Sequence, residues 1–150
     1  MFVHDFTAVS TPVDDAVRAF SNSVSNVMLA AIVRTAWNDD APILASAGVA
    51  NPLDVSASEV FVELGGHRLR HDTAIISLHW SGNGWLPALD ADLELVGFGH
   101  DCTHLHLMGR YELPPCVDRF SPAGSLVQRL MVVVVRRFLS DLSDLLAPRQ

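Results

Sequence analysis

The hydrophobic pattern of the first forty residues predicts one strand followed by two helices. Residues 2–9 alternate between two sets of side chains, as in a strand, although both sets contain apolar groups. Thr11 and Pro12 then indicate a helix start, with Thr11 as the N-cap and Pro12 at the first helical position. Polar residues at 21–23 separate this helix from a second one, which ends near residue 40. In the second helix we expect one apolar face at helical spacing, formed by Val24, Val27, Met28, Ala31 and Ile32.

The pattern changes from helical to alternating in the middle of the chain. Residues 41–57 contain two Pro, one Gly and many small side chains, and we expect an irregular connector there. Apolar and polar side chains alternate beyond it, which predicts a run of antiparallel strands. The pair Gly65–Gly66 is expected to end the first strand, and Pro114–Pro115 to end the sheet, since proline has no amide to donate. The other strands are expected at 73–80, 92–98 and 103–111, with a turn at 81–84.

Residues 125–146 form the clearest amphipathic helix of the sequence. At 100° per residue its apolar side chains gather on one broad face, while Arg129 and Arg136 lie opposite. Val133 is an exception on the polar side, and together with Val132 it leaves a homodimer contact open. The apolar face that we expect to pack on the sheet is formed by Val127, Met131, Val134, Val135, Phe138, Leu142 and Leu145.

Composition restricts the class of protein. The chain has 150 residues and no internal repeats, so we interpret 1–150 as a single domain, and 49% hydrophobic residues are typical of a globular chain. A net charge of −7, with no Lys, argues against a nucleic-acid partner, because such proteins gather basic side chains into patches. The apolar run at residues 130–135 is far shorter than the roughly 20 residues of a membrane span. The first residues show no secretory signal, so we expect a cytoplasmic protein without a membrane span.

Several segments together resemble a known superfamily. The order of elements is similar to the helix-grip architecture of the SRPBCC superfamily, which includes START-like and Bet v 1-like domains, and the local similarity is to small bacterial members. The resemblance implies an α+β fold in which a curved antiparallel sheet wraps around a long C-terminal helix, with two short helices after the first strand. It also implies a cavity between the sheet and that helix. The segments that carry the resemblance are 60–65 with Arg68 and Arg70, 75–80, 86–95, 103–111 with Pro114–Pro115, and 135–139.

That cavity would be the binding site. We expect a binding or carrier domain for a small apolar molecule such as a lipid, an isoprenoid or a polyketide-like aromatic. Two alternatives stay open: a cyclase-like or dehydratase-like enzyme that uses the same cavity, and a protein-interaction domain with a closed core. Tyr111, the single tyrosine, is the preferred polar anchor because a buried phenol needs a hydrogen-bond partner. The cavity-lining candidates are Trp80, Leu78, Leu95, Leu107, Tyr111, Met131, Val134 and Phe138.

The polar residues indicate no specific chemistry. His104 and His106 lie two apart on a strand and share a face, but no third ligand is evident, so we expect no metal site. Asp90, Asp92 and Glu94 share one side of a strand, as on a solvated face. The sequence has no nucleophile motif, phosphate-binding loop or dinucleotide fingerprint, and we expect no cofactor. These observations favour a protein that is not an enzyme, with its catalytic residues, if any, unassigned.

Overall fold

The computed structural model describes residues 1–49, 59–82, 86–114 and 117–148. Within these ranges the chain forms five strands and four helices. Their order is β1 (Phe2–Val9), α1 (Val13–Ser23), α2 (Asn26–Asn38), α3 (Ala41–Ser46), β2 (Val60–Arg70), β3 (Thr73–Gly82), β4 (Ala88–Phe98), β5 (Cys102–Glu112) and α4 (Pro122–Leu146).

The five strands form one antiparallel sheet in the order β1-β5-β4-β3-β2. Successive side chains of a strand point to opposite sides, and the two sides of this sheet differ sharply in burial. On β3, for example, Ile76, Leu78 and Trp80 are buried, whereas Ser77 and His79 keep contact with solvent. We call the buried side, which α4 covers, the inner face, and the opposite side the outer face.

Helix α4 is held against the sheet by its apolar side and at its C-terminal end. Its N-cap is Ser121, whose Oγ accepts a hydrogen bond of 3.0 Å from the amide of Gly124. At the other end, the hydroxyl of Thr11 donates to the carbonyl of Leu146 at 3.3 Å, and the hydroxyl of Thr103 donates to the carbonyl of Thr11 at 2.7 Å. These bonds connect the last turn of α4 to the segment after β1 and to the start of β5.

The predicted helix-grip fold is confirmed: the sheet is curved, the C-terminal helix is long, and helices follow the first strand. Details of the first elements differ. Pro12, not Thr11, occupies the N-cap position of α1, and the hydroxyl of Thr11 instead donates to α4. Strand β2 does not end at Gly65–Gly66 but continues to Arg70, since a bulge between Leu64 and His67 shifts its register against β3.

The helices that follow β1 in the chain also differ from prediction. The first residues of the expected connector form α3, in which Pro42 occupies the first turn, where a missing amide is tolerated, and Leu44 is fully buried. Positions 50–57 of that connector, and 83–84 of the expected turn, lie outside the described residues. Helix α2 presents the opposite side from the one predicted, with Val27 and Met28 exposed. Its buried residues are Leu29, Val33, Ala36 and Trp37.

Two further observations complete the fold. Leu145, expected on the buried face of α4, is 36% exposed, and it borders a shallow groove of about 320 Å³ between α2 and α4. Among the described residues, no single helix has the length and hydropathy to cross a membrane. Only α1 and α2 taken together meet those two criteria, and they are bent by 97° at the break between them.

Candidate functional site

The eight side chains predicted to line a cavity all lie in the core between the inner face and α4. The indole of Trp80 meets the ring of Phe138 edge to face, with centroids 5.5 Å apart and planes at 66°. The indole nitrogen of Trp80 donates to the carbonyl of Pro87 at 3.2 Å, so its one polar atom is satisfied. This pair joins β3 to the middle of α4.

Most of this core is closely packed. A side chain that bordered an open cavity would keep part of its surface accessible to water, and six of the eight candidates keep none. Leu78 is 3% exposed and Tyr111 is 5% exposed. Any space for a ligand therefore lies at the margin of this group. The six side chains without exposure are Trp80, Leu95, Leu107, Met131, Val134 and Phe138.

Tyr111 is the polar exception within the core. It lies on the inner face of β5. Its register partner on the neighbouring strand β4 is Leu89, and the register partner of Leu89 on β3 is Trp80. Two hydrogen bonds to Met1 hold its backbone. The amino group of Met1 donates to the carbonyl of Tyr111, and the amide of Tyr111 donates to the carbonyl of Met1. Its hydroxyl makes no hydrogen bond within the described residues. Burial raises the pKa of this phenol, which keeps it protonated and able to donate.

A second concavity lies on the outer face, at a place that the sequence did not predict. An open groove of about 1030 Å³ crosses the sheet from β2 to β1. Its floor is the backbone of three strands at the register-paired positions Leu78, Ala91 and Gly109, where the side chains of Leu78 and Ala91 point inward and Gly109 has none. We call it the outer groove. Its walls are formed by Phe2, Glu63, Ser77, His79, Asp90, Asp92, Met108, Arg110 and Glu112.

The walls of the outer groove are rich in carboxylates. The imidazole Nδ1 of His79 lies 2.5 Å from a carboxylate oxygen of Asp90, and the hydroxyl of Ser77 donates to Asp92 at 3.4 Å. Arg110 is the one arginine among the described residues that form these walls. The alternation of side chains along each strand would have predicted that these residues lie on the outer face. That they meet in one groove depends on the register between the strands, which the sequence does not reveal.

The predicted histidine pair also lies on the outer face, within a group of aromatic side chains. His104 stacks on Phe98 with centroids 4.7 Å apart, and His106 stacks on Phe6 at 5.3 Å. Nε2 of His4 is 3.4 Å from Nδ1 of His106. Burial, followed by the charges of His4 and His104, lowers the pKa of His106, so this imidazole is neutral near pH 7. In the part of the chain that the structure describes, no three His, Cys, Asp or Glu converge as a ligand set.

The fold of the chain recurs in solved structures. A truncated norcoclaurine synthase from Thalictrum flavum superimposes with a TM-score of 0.51 at 13% identity, over 100% of this chain and 95% of that chain. A conserved protein from Geobacillus kaustophilus gives a TM-score of 0.51 at 8% identity, over 96% of each chain. A START superfamily protein from Mycobacterium smegmatis gives 0.49 at 13% identity, over 96% of this chain and 98% of that chain. No family model and no curated protein matches the sequence.

The resemblance drawn from the sequence is confirmed at the level of the fold. The norcoclaurine synthase is a Bet v 1-like member of the SRPBCC superfamily, and this chain has its helix-grip fold along nearly its whole length. What is shared at such identities is the arrangement of sheet and helix. The chemistry of the site must therefore be argued from the residues of this chain.

Proposed function

We propose that this chain is a binding or carrier domain for a small apolar molecule that carries one polar group, held between the inner face of the sheet and α4. The observation that supports this proposal best is the position of Tyr111, whose ring is buried while its hydroxyl reaches the margin of the core. This hydroxyl makes no hydrogen bond within the described residues and is not a fully buried atom. Its partner must therefore be water or a bound molecule at that margin, because a polar group buried without a partner costs about 1–3 kcal/mol.

The surroundings of Tyr111 define the class of ligand. Its register neighbours toward β3, Leu89 and Trp80, are apolar and fully buried. Because its raised pKa keeps the phenol protonated, Tyr111 would donate to a ligand oxygen. An isoprenoid alcohol, a fatty acid or a polyketide-like aromatic fits this combination of one acceptor with a hydrocarbon body.

The close packing of the core determines where binding can start. Six candidates are without exposure, so a ligand enters at the Tyr111 end and displaces core side chains as it advances. Met131 is suited to such displacement, because an unbranched thioether side chain repacks easily. Binding would consequently shift α4 relative to the sheet.

The carrier interpretation is favoured over an enzyme by the polar residues of the core. In the described ranges the buried polar or charged residues are Thr11, Asp40 and Thr103. The two threonines hold the end of α4, and Asp40 pairs with Arg137 at 2.8 Å. Each of the three thus holds the fold together, and none is a register neighbour of Tyr111, so they offer no evident partner for acid–base catalysis at the phenol. The norcoclaurine synthase that shares this fold keeps the enzyme alternative open at the level of architecture alone.

A second candidate function is a protein-interaction domain with a closed core. The observation in its favour is the same complete burial of Leu95, Leu107 and Phe138, which leaves no room beside them for a ligand. In this alternative, a partner protein would bind the outer face of the sheet and not the inner face.

Displacement of a fluorescent dye distinguishes these functions. The native protein should bind an anilinonaphthalene sulfonate saturably, and farnesol should displace it. Tyr111→Phe keeps the ring but removes the donor, and should weaken farnesol about tenfold while leaving its hydrocarbon analogue farnesene unchanged. Native mass spectrometry of the protein as expressed should show a retained small molecule by its mass. Absence of saturable dye binding by the folded protein, together with an empty mass spectrum, would favour the closed-core interaction domain.

A further inference from the structure

Strand β2 has one side without a neighbour in the sheet. Among the strands that the structure describes it pairs with β3 alone, and the order β1-β5-β4-β3-β2 places it last. Its 11 residues make a long edge, and none of them is proline, although short strands and prolines are common means of blocking an edge. Such an edge exposes unpaired amides and carbonyls, to which another strand can bind.

The exposed side chains of β2 divide into an acidic half and a basic half. In the first half, residues 60–64, Glu63 is exposed. In the second half, residues 67–70, every side chain is exposed, and two of them are Arg68 and Arg70. Neither the carboxylate nor the two guanidinium groups form an ion pair within the described residues. The strand therefore carries opposite, unpaired charges on the two sides of its central glycine pair.

The bulge in the middle of β2 brings these charges to the same face of the sheet. In a regular strand, residues five apart point to opposite sides. Glu63 is the register partner of His79 and lies on the outer face. Five residues later, Arg68 is the register partner of Ile75 and lies on the outer face too, because the bulge adds one residue to β2. Two copies of β2 laid antiparallel about the glycine pair thus bring Glu63 of one copy beside Arg68 of the other.

We propose that two copies of this chain pair along β2, antiparallel and with the two-fold axis at Gly65–Gly66, so that their two sheets become one. The axis repeats each contact, as an isologous interface requires. On the outer face Glu63 lies opposite Arg68. Next to this pair Phe61 lies opposite Arg70, whose guanidinium group can stack on the exposed phenyl ring.

The inner face is consistent with the same register. Leu69 is 69% exposed, although its register partner on β3, Ala74, is a buried residue of the inner face. In the paired strands it lies opposite Val62 of the second copy, which borders that copy's core. Apolar pairs and pairs of opposite charge across two strands both stabilise a sheet. An acidic peptide strand would match only the basic half of β2, whereas a second β2 matches both halves. The proposal is independent of the ligand proposed for the inner face.

Sedimentation velocity over a range of protein concentrations tests the pairing of charges. The wild-type chain should dimerise. Glu63→Arg places two arginines opposite each other at both symmetry-related contacts, and Arg68→Glu places two glutamates there, so each should raise the dissociation constant at least about tenfold. A chain with both substitutions exchanges the charges and should recover the dimer. An equimolar mixture of the two single variants should recover it as well, because both contacts of the mixed pair join opposite charges.

The matched controls are Glu112→Arg and Arg110→Glu, which make the same changes at exposed positions of β5, inside the sheet. Neither should alter the dissociation constant. Circular dichroism should show one fold throughout, since every substituted side chain is exposed. A wild-type monomer at every concentration would overturn the proposal and would leave the arginines as protection of a free edge. So would a dimer that tolerates both single β2 variants, a double variant that stays monomeric, or loss of the dimer on Val133→Ser in α4.

Hydrogen–deuterium exchange locates the contact on the backbone. In the dimer the edge amides of β2 are hydrogen-bonded, so peptides that contain residues 60–70 should exchange more slowly at high than at low protein concentration. Peptides of β1, which lies at the opposite edge of the sheet, should not change. If the protein dimerises without this protection of β2, the two copies do not pair along this strand and the proposal fails.

Discussion

His106 lies on β5 among other titratable groups, and these determine its proton affinity. Burial has the largest effect and lowers its pKa from the ordinary value of 6.5, and the charges of His4 and His104 lower it further. Glu94, its register partner on β4, acts in the opposite direction. His4 is the nearest of these groups, with the two rings stacked at 5.7 Å.

We expect His106 to titrate below 6.5 in an NMR pH titration of the monomeric protein. His4→Ala should move its pKa back toward 6.5, and Glu94→Gln should lower it further. Because the folded state then binds fewer protons than the unfolded state, His106 reduces stability as the pH falls through about 6.5, and has no such effect well above it. A pKa that is the same in both variants would mean that neighbouring charges do not contribute.

Burial of individual residues was predictable wherever a strand or helix has one apolar side. Alternation placed Tyr111 on the inner face together with Leu105 and Leu107, and helical spacing placed Phe138 at the centre of α4. The outer groove was not predictable, since it depends on which residue of one strand stands opposite which residue of the next. Register follows from bulges and turn lengths, and the bulge beside Gly65 is not evident from the pattern of β2.

At the scale of elements, α2 shows why periodicity can predict the wrong face. Every residue from 27 to 33 is apolar, so two overlapping faces satisfy the same helical spacing. The side that is buried includes Trp37, which has far more surface to remove from water than any residue of the predicted side. Helix α4 presented no such ambiguity, because Arg129 and Arg136 mark its solvent side.

The orientation of α2 can be tested with two neighbouring substitutions. Leu29 is fully buried and Val27 is 81% exposed, on opposite sides of the same helix. Leu29→Ala should lower the free energy of unfolding by about 2–5 kcal/mol. Val27→Ala should change it by less than about 0.5 kcal/mol, since alanine also favours the helix. Denaturant melts of the two variants measure both values, and a larger loss at Val27 would restore the orientation predicted from the sequence.

At the scale of the whole molecule, the arrangement of sheet and helix followed from the order of elements and the family resemblance. Whether the core is filled did not follow, because that depends on side-chain volumes at the level of single methyl groups. The link between α2 and α4 was equally unforeseen. Arg137 donates to Asp40 at 2.8 Å and to the carbonyl of Ala36 at 3.0 Å, and so fastens the end of α2 to the middle of α4.

This link should contribute more to stability than its neighbour on the surface. The side chain of Asp40 is only 5% exposed, so Arg137→Met would leave a buried carboxylate without its cation, at a cost of about 2–3 kcal/mol. Arg136→Met is the matched control, because Arg136 pairs with Asp5 at 3.0 Å but is itself 70% exposed, and it should cost less than about 1 kcal/mol. Adding Asp40→Leu to Arg137→Met should recover part of the loss, since the unpaired charge is then gone. Urea melts of the four proteins measure these differences. Equal costs at the two arginines, with no recovery in the double variant, would show that α2 and α4 are held together by apolar packing alone.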